Sequence, residues 1–543
     1  MSEATSTTAN EDCFAELSPE LLQGIPLHVC FHRGRSLWNR AGRDRSGASQ
    51  TARHYSYFLS HAWAASSWSK YFALLVHFNG VPAAMAAFLT GLILGILTSL
   101  QVMPFASWMP IRAHLVPASV LFLWQDLRRV VCDDPMVFLD CACIPQGDDA
   151  VKAKCVRGLP SFLRRSDNLV VLWSPDFVRR LWCTYEVAFF LKQNQADQIL
   201  FLPLQVPTLW FLIYLVAGIT RTTLYIAEIM GLYGDSVVGY LGIVGGVFLA
   251  QQLTIWPAVY YVLTNMLRDI AELPEQLHNF RVQDAGCSCC AKGHVDRVTK
   301  QQIPCDRKLI YEVLESWFQP VKSAEEALDQ FNLHVRDSLA PQVERTSRPS
   351  LLILKHGVAA TAVACFPYLS ADIFMTVDRI KRQTAGALLY PAGQLYTFLV
   401  ILVGVRIMAL IGYFGLRYSQ RCCRAAVLVG QVALHASFTF VMMMLWISWH
   451  LVGGEHSHFA LFAVGILSCC TAYVLFPLSR GFFKSNHSSS KAAQEEGTHK
   501  FTEAALAAIT HNLRDPPGLQ HALEIECSQS LSLDNDDLIQ EHL

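Results

Sequence analysis

Cys287, Cys289, Cys290, His294 and Cys305 fall within 19 residues of one another. Thiolates and imidazole are ligands that suit Zn2+, and four of them complete a tetrahedral site. The run Cys-Ser-Cys-Cys-Ala-Lys-Gly-His is not a paired C-x-x-C spacing, so the same residues also read as reduced cysteines near a membrane, open to lipidation. The zinc reading takes Cys287, Cys289 or Cys290, His294 and Cys305 around one ion that orders the segment, with binding coupled to folding and to pH. Arg221, Glu228, Asp372 and Arg406 form a second group, set in or beside apolar sequence. Ionisable residues in a bilayer are costly and often functional, which raises the question of transport. Arg221 and Glu228, two helical turns apart, share a face, and interfacial snorkelling or a structural ion pair accounts for them equally. His77, His356, His435 and His450 add no recognisable relay, and no phosphate loop of P-loop or Rossmann spacing is present.

The elements that must hold these residues follow from composition. Of 543 residues, 52% are hydrophobic and 16% charged, against about 25% charged in ordinary soluble domains. A disordered or purely soluble chain is excluded. The 43 Lys and Arg nearly cancel 44 Asp and Glu, so no basic field exists to hold nucleic acid, which is not expected as a partner. The 17 cysteines accompany no signal-peptide run in the first 50 residues, and they read as reduced, facing the cytosol or the membrane.

Uncharged runs at 71–111, 199–220, 236–267, 383–405, 425–454 and 456–479 each approach or exceed the roughly 20 residues that cross a bilayer. A further span is expected over 351–376, with Lys355 and Asp372 snorkelling toward the headgroups. The 71–111 run is too long for one crossing and, with 113–125, is read as a hairpin turning near Pro104. The total is about eight spans, an even number before residue 268, so that the segments on either side share one compartment. That count puts the loop Asp378–Arg382 outside, against the positive-inside tendency. The tail from Arg480 reads as flexible, with one helix expected over Phe501–Leu513.

A soluble α/β unit lies between the first spans. Residues 54–61 read as a strand and 64–78 as a helix; Met136–Asp140 is a second strand, followed by a Pro-Gln-Gly loop and a helix over Val151–Arg165; Asn168–Trp173 is a third strand, Arg179–Gln193 a third helix and Ile199–Leu204 a fourth strand. Buried strands alternating with helices predict a parallel sheet covered on both faces, with ligands at the carboxyl ends of its strands. Ser60 and His61 lie at that edge, where small side chains and backbone amides can approach a phosphate; a histidine hydrogen-bonded into a strand end is the plain alternative. Asp140, at the next strand end, reads as the cap of its loop.

Phe58-Leu-Ser-His61, Val137-Phe-Leu-Asp140 with Ile144-Pro-Gln-Gly147, Ser166 to Pro175, and Leu181-Trp-Cys-Thr-Tyr-Glu186 resemble the boxes of the Toll/interleukin-1 receptor (TIR) domain family, in order and spacing. The resemblance covers residues 54–79 and 132–204. It implies a flavodoxin-like parallel sheet, here interrupted by a transmembrane hairpin over 80–131 and lacking a place for the family's fifth strand. Some TIR domains cleave NAD at the bond to nicotinamide with a glutamate of the third helix, and others are scaffolds that self-associate. The resemblance places that glutamate at Glu186, with Ser60, His61 and Trp182 as nucleotide contacts, since Trp182 and Glu186 share a helix face. The alternative has Trp182 in the core and Glu186 paired with Arg179 or Arg180.

The resulting layout is a polar segment over 1–53, the TIR-like unit with its hairpin to 204, two spans over 205–267, a cytosolic Cys/His linker block over 268–350, four spans over 351–479 and a cytosolic tail over 480–543. The expected function is signalling at a membrane through homo-oligomers of the TIR-like unit, or with other TIR-type proteins, with NAD as substrate and Zn2+ as bound ion. The other readings are a channel or transporter with a nucleotide-sensing domain, and a non-catalytic membrane scaffold.

Overall fold

The computed structural model describes residues 17–32, 35–38, 49–145, 149–193, 198–230, 237–295, 302, 305–318, 323–341, 349–382, 389–419 and 422–451. Six strands form one sheet: β1 (Gln23–Pro26), β2 (Gln50–Thr51), β3 (Tyr55–His61), β4 (Met136–Phe138), β5 (Ser166–Trp173) and β6 (Ile199–Pro203), in the order β2-β1-β4-β3-β5-β6. The four strands β4-β3-β5-β6 are parallel. β5 is an apolar run buried from Leu169 to Trp173, as a strand covered on both faces must be. Phe58 stacks on Phe138 at 4.6 Å between ring centroids, and Phe162 tilts against Phe138 at 4.4 Å, so the core rests on aromatic contacts beside β3 and β4.

The expectation of a purely parallel sheet beginning at residue 54 is corrected at one edge. β1 runs antiparallel to β4, and β2 antiparallel to β1. The stretch read as a polar segment therefore covers an edge of the sheet that would otherwise expose unpaired backbone. Leu22, Ile25, Leu27 and Cys30 are buried with it.

The helices that bear on the sites are α1 (Ser67–Ser99), α2 (Leu115–Arg128), α3 (Leu181–Lys192), α4 (Val206–Ile229), α5 (Val237–His278), α6 (Asp306–Trp317), α7 (Ala324–His334), α8 (Pro349–Cys365), α9 (Leu369–Lys381), α10 (Leu389–Tyr418) and α11 (Arg424–Leu451). The helix expected over 64–78 and the first arm of the hairpin are one element. At 33 residues and about 1.5 Å per residue, α1 is a rod of about 50 Å whose first turns lie against the sheet. The uncharged run 199–220 is likewise divided, its first residues forming β6 and the rest opening α4.

Among the described residues, five helical stretches are long and apolar enough to cross a membrane: Ser67–Ser99, Val206–Ala227, Gly242–His278, Leu352–Lys381 and Arg424–Val441. The expected span over 383–405 falls on α10, of which the side chains before residue 403 are not described; the span over 456–479 and the tail helix lie outside the described residues. Asp372 does not snorkel. Its Oδ1 accepts a 2.6 Å hydrogen bond from Arg221, both side chains being under a tenth exposed. Arg221 also lies over the Tyr368 ring, so α9 supplies one of its partners; the side chain of Glu228, expected on the same face, lies outside the described residues.

Candidate functional site

The loop leaving β3 leads toward β4 on one side of the sheet, and the next parallel strand, β5, pairs on the other. Between the carboxyl ends of β3 and β5 the connections diverge, which is where doubly wound sheets place their ligands. Ser60 and His61 are the last residues of β3, opposite Val171 and Leu172, and alternation sends them to opposite faces. Ser60 is buried, and its hydroxyl donates to Glu186 Oε2 at 2.5 Å. Burial pushes the Glu186 carboxyl up to about 8; the Ser60 hydrogen bond opposes this and the charge of Asp140 adds to it. At neutral pH Glu186 is therefore mostly a neutral acid, able to donate a hydrogen bond or a proton.

On the other face the His61 ring stands between Trp38 and Trp63, at 5.3 and 5.0 Å. Lys70, from the first turn of α1, is buried with its Nζ 5.9 and 6.0 Å from the same two indoles. Cys183 points its thiol at the carbonyl of His61 at 3.5 Å, and burial raises it well above the ordinary thiol range, with Glu186 adding to the rise. Asp140 accepts from the amide of Cys141 at 2.6 Å, as the first residue of the short helix Asp140–Cys143. Lys70, Trp38, Trp63 and Cys183 carry no signal of their own in the sequence: Trp38 lies in the stretch read as a polar segment over 1–53, and Lys70 reads as an ordinary helix lysine until α1 is laid beside Trp38 and Trp63.

Trp182 is not brought to this edge. Its indole N–H donates to Asp306 Oδ2 at 3.4 Å, at the start of α6. Helix α3 lies between two bodies, so residues four apart reach different partners: Glu186 the sheet, and Trp182 the block that follows α5. That block packs on α3 along its length. Tyr185 stacks on Trp317 at 5.2 Å, and Lys192 Nζ donates to the Trp317 carbonyl.

The cysteine cluster lies in the same block. Cys289, Cys290, His294 and Cys305 each offer a ligand atom, all within 4.8 Å of one another, and could hold a metal ion. A Zn–S bond of about 2.3 Å sets tetrahedral sulfurs about 3.8 Å apart; Cys290 and Cys305 are 3.8 Å apart, and Cys289 and Cys290 4.0 Å. His294 Nε2 is buried without a hydrogen-bond partner among the described residues. The turn that delivers this imidazole is tight: Gly293 and His294 both have positive φ, +64° and +58°, a conformation uncommon outside glycine. The Cys289 sulfur accepts from the amide of Asp306 at 3.2 Å. Cys287 falls outside this group of four, 3.1 Å from Cys289 and grouped with Cys289 and Asp306; this corrects the expected set, which kept Cys287 and took only one of Cys289 and Cys290.

The comparisons add no relatives. No family model matches the chain, and neither a curated protein nor a solved structure does.

Proposed function

We propose that the chain is a multi-pass membrane signalling protein whose flavodoxin-like, TIR-type α/β domain faces the cytosol, acts by self-association and cleaves NAD at its bond to nicotinamide. One observation carries this reading: a glutamate of the third helix of the unit is hydrogen-bonded to a serine at the carboxyl end of the first parallel strand, where the connections of the sheet diverge. The order of the parallel strands supports it. Numbered from β3, they run 2-1-3-4, the order of flavodoxin-like sheets without the last strand. In this reading Glu186 holds a ribose hydroxyl and, once ionised, stabilises the positive charge that builds at the anomeric carbon as nicotinamide leaves. Water completes the reaction, giving nicotinamide, ADP-ribose and a proton. Lys70 supplies positive charge beside the edge, and the Cys/His centre takes Zn2+ in a structural role. The buried Arg221–Asp372 pair, mutually satisfied and enclosed, fits a tie between helices better than a conduction path, so the transport reading stands second.

The test is nicotinamide release from the full-length protein in nanodiscs, dilute and clustered, with NAD supplied. Release that is lost in Glu186→Gln is the expected result. A folded wild type that releases nicotinamide in no assembly state would remove the enzymatic half of the reading and leave the self-associating scaffold.

A further inference from the structure

Helix α3 begins without a capping side chain. Its N-terminal amides, which no helical carbonyl can reach, need an external partner. The Leu181 amide finds one in the Gly286 carbonyl at 3.2 Å, and the Gly286 amide in turn donates to the Arg179 carbonyl at 2.7 Å. Gly286 immediately precedes Cys287 and lies three residues before Cys289, the first sulfur of the four-ligand group. From the other end of that group, Cys305 opens α6, and the next two residues also hold the junction. Asp306 accepts from Trp182, and Arg307 donates 2.5 Å hydrogen bonds to the carbonyls of Gln283 and Ala285. The residues just before and just after the ligand set thus both hold the strip of backbone that caps the helix bearing Glu186, and Glu186 lies five residues beyond the capped amide.

We propose that Cys289, Cys290, His294 and Cys305 bind a single Zn2+ that braces residues 283–286 against the start of α3, so that metal occupancy sets how firmly Glu186 is held against Ser60. The proposal rests on the reading of Glu186 as the acting residue of the site. Without the ion, the 287–294 turn is joined to the 302–306 segment, among the described residues, by thiol hydrogen bonds and one backbone bridge from Val295 to Gln302, and four soft ligands at tetrahedral separations gain most of their cohesion from a metal. Releasing the brace loosens the first turns of α3, because its cap belongs to a segment that then depends on the Arg307 hydrogen bonds without a fixed ligand turn behind it. Gly286, Asp306 and Arg307 are positioning residues; none of them touches the sheet edge.

The experiment uses the full-length protein in nanodiscs. Elemental analysis gives the metal content, and hydrogen exchange of peptides over 179–192 and 166–173 is followed as purified, after chelator and after re-addition of Zn2+ alone. One zinc per chain is expected. Removal should speed exchange over 181–187 about five- to tenfold, the loss that goes with one helix cap, with recovery on re-addition and no change over 166–173. Cys305→His keeps four ligands and should keep the protection. Gly286→Val should speed exchange over 181–187 without releasing zinc, because its first side-chain carbon already meets the Arg179 carbonyl at 3.3 Å. Absence of bound zinc overturns the proposal, as does bound zinc whose removal leaves 181–187 unchanged. The two readings part cleanly: metal-dependent exchange without nicotinamide release keeps the brace and dismisses Glu186 as catalyst, whereas release that needs Glu186 beside metal-independent exchange does the reverse.

Discussion

A glutamate whose midpoint lies near 8 makes two measurable statements about pH. The first concerns folding. Its ordinary midpoint is 4.5 and its folded midpoint about 8, so between those values the folded chain keeps a proton that the unfolded chain has released. Its contribution to stability is complete below about 4.5, falls as pH rises and is gone above about 8. Glu186→Gln, which cannot ionise, should flatten this part of the thermal-unfolding profile. The second concerns turnover: if ionised Glu186 stabilises the departing cation, nicotinamide release rises with pH through about 8. Ser60→Ala removes the hydrogen bond that holds the midpoint down and should move that rise to higher pH, at a cost of about 0.5–1.5 kcal/mol in stability. A profile that does not move would detach Ser60 from the reaction. Ser60 and Glu186, each picked out in the sequence through a resemblance, meet in one hydrogen bond. The sequence placed Trp182 at the same edge because helical periodicity reports a shared face and not what lies on either side of that face. The cysteines were legible as ligands by type, but choosing Cys289 and Cys290 over Cys287 required the turn at Gly293 and His294.

At the scale of elements, α1 depends on close approach. It carries Gly91-Leu-Ile-Leu-Gly95, a small-x-x-x-small spacing that lets helices pack closely in membranes. A side-chain carbon at Gly91 would fall 2.2 Å from the Phe366 carbonyl, and at Gly95 2.8 Å from Ile373. Gly91→Ala should therefore push α1 away from the α8–α9 turn and cost about 1–3 kcal/mol. Gly218→Ala, in α4 with no atom within 4 Å, should be neutral or raise the melting temperature slightly. Equal melting temperatures for the two variants would contradict the packing. The periodicity that marks a helix was visible in this region, but uncharged sequence alone cannot say that the helix of the sheet unit and the first membrane-length arm are continuous. β1 and β2 escaped notice for a different reason: strands of four and two residues are too short to display alternation. Removing residues 1–32 should bare the β4 edge and yield an aggregating protein, scored by size-exclusion chromatography.

Across the whole molecule, the ends of the long helices fix which loops lie together. Lys381 Nζ donates to the Ser99 carbonyl at 2.9 Å, so the turn after α1 and the end of α9 share one end of the bundle. The basic loop Asp378–Arg382 is thus held beside the turn that follows α1, with Arg382 also paired to Asp378. In a protein oriented as proposed, cysteines placed at Gln101 and Arg382 should label from the same side and the exposed Cys132 from the other. Arg221→Ala would strand Asp372 among apolar helices; the penalty for breaking a buried pair in this way is about 3–5 kcal/mol, and loss of the folded protein in a detergent melting assay is the expected result. Long apolar helices were legible as runs of uncharged residues, but their number was not: the runs predict about eight crossings, and five helical stretches among the described residues are long and apolar enough to cross. The Asp372 partner of Arg221 was not legible either, because it lies on a helix 151 positions away.

The insertion of α1 and α2 between β3 and β4 bears on how the protein is made. β3 sits in the interior of the sheet, yet both strands that flank it are synthesised only after residues 62–135 have left the ribosome. Until then it presents two bare edges, the kind of surface that chaperones and proteases act on. If the hairpin enters a bilayer, β4 can meet β3 only when both arms have inserted and the chain has returned to the side from which it started. Closure of the sheet would then serve as a proofreading step for insertion, and chains with a misthreaded hairpin would be recognised by the strand they leave unpaired.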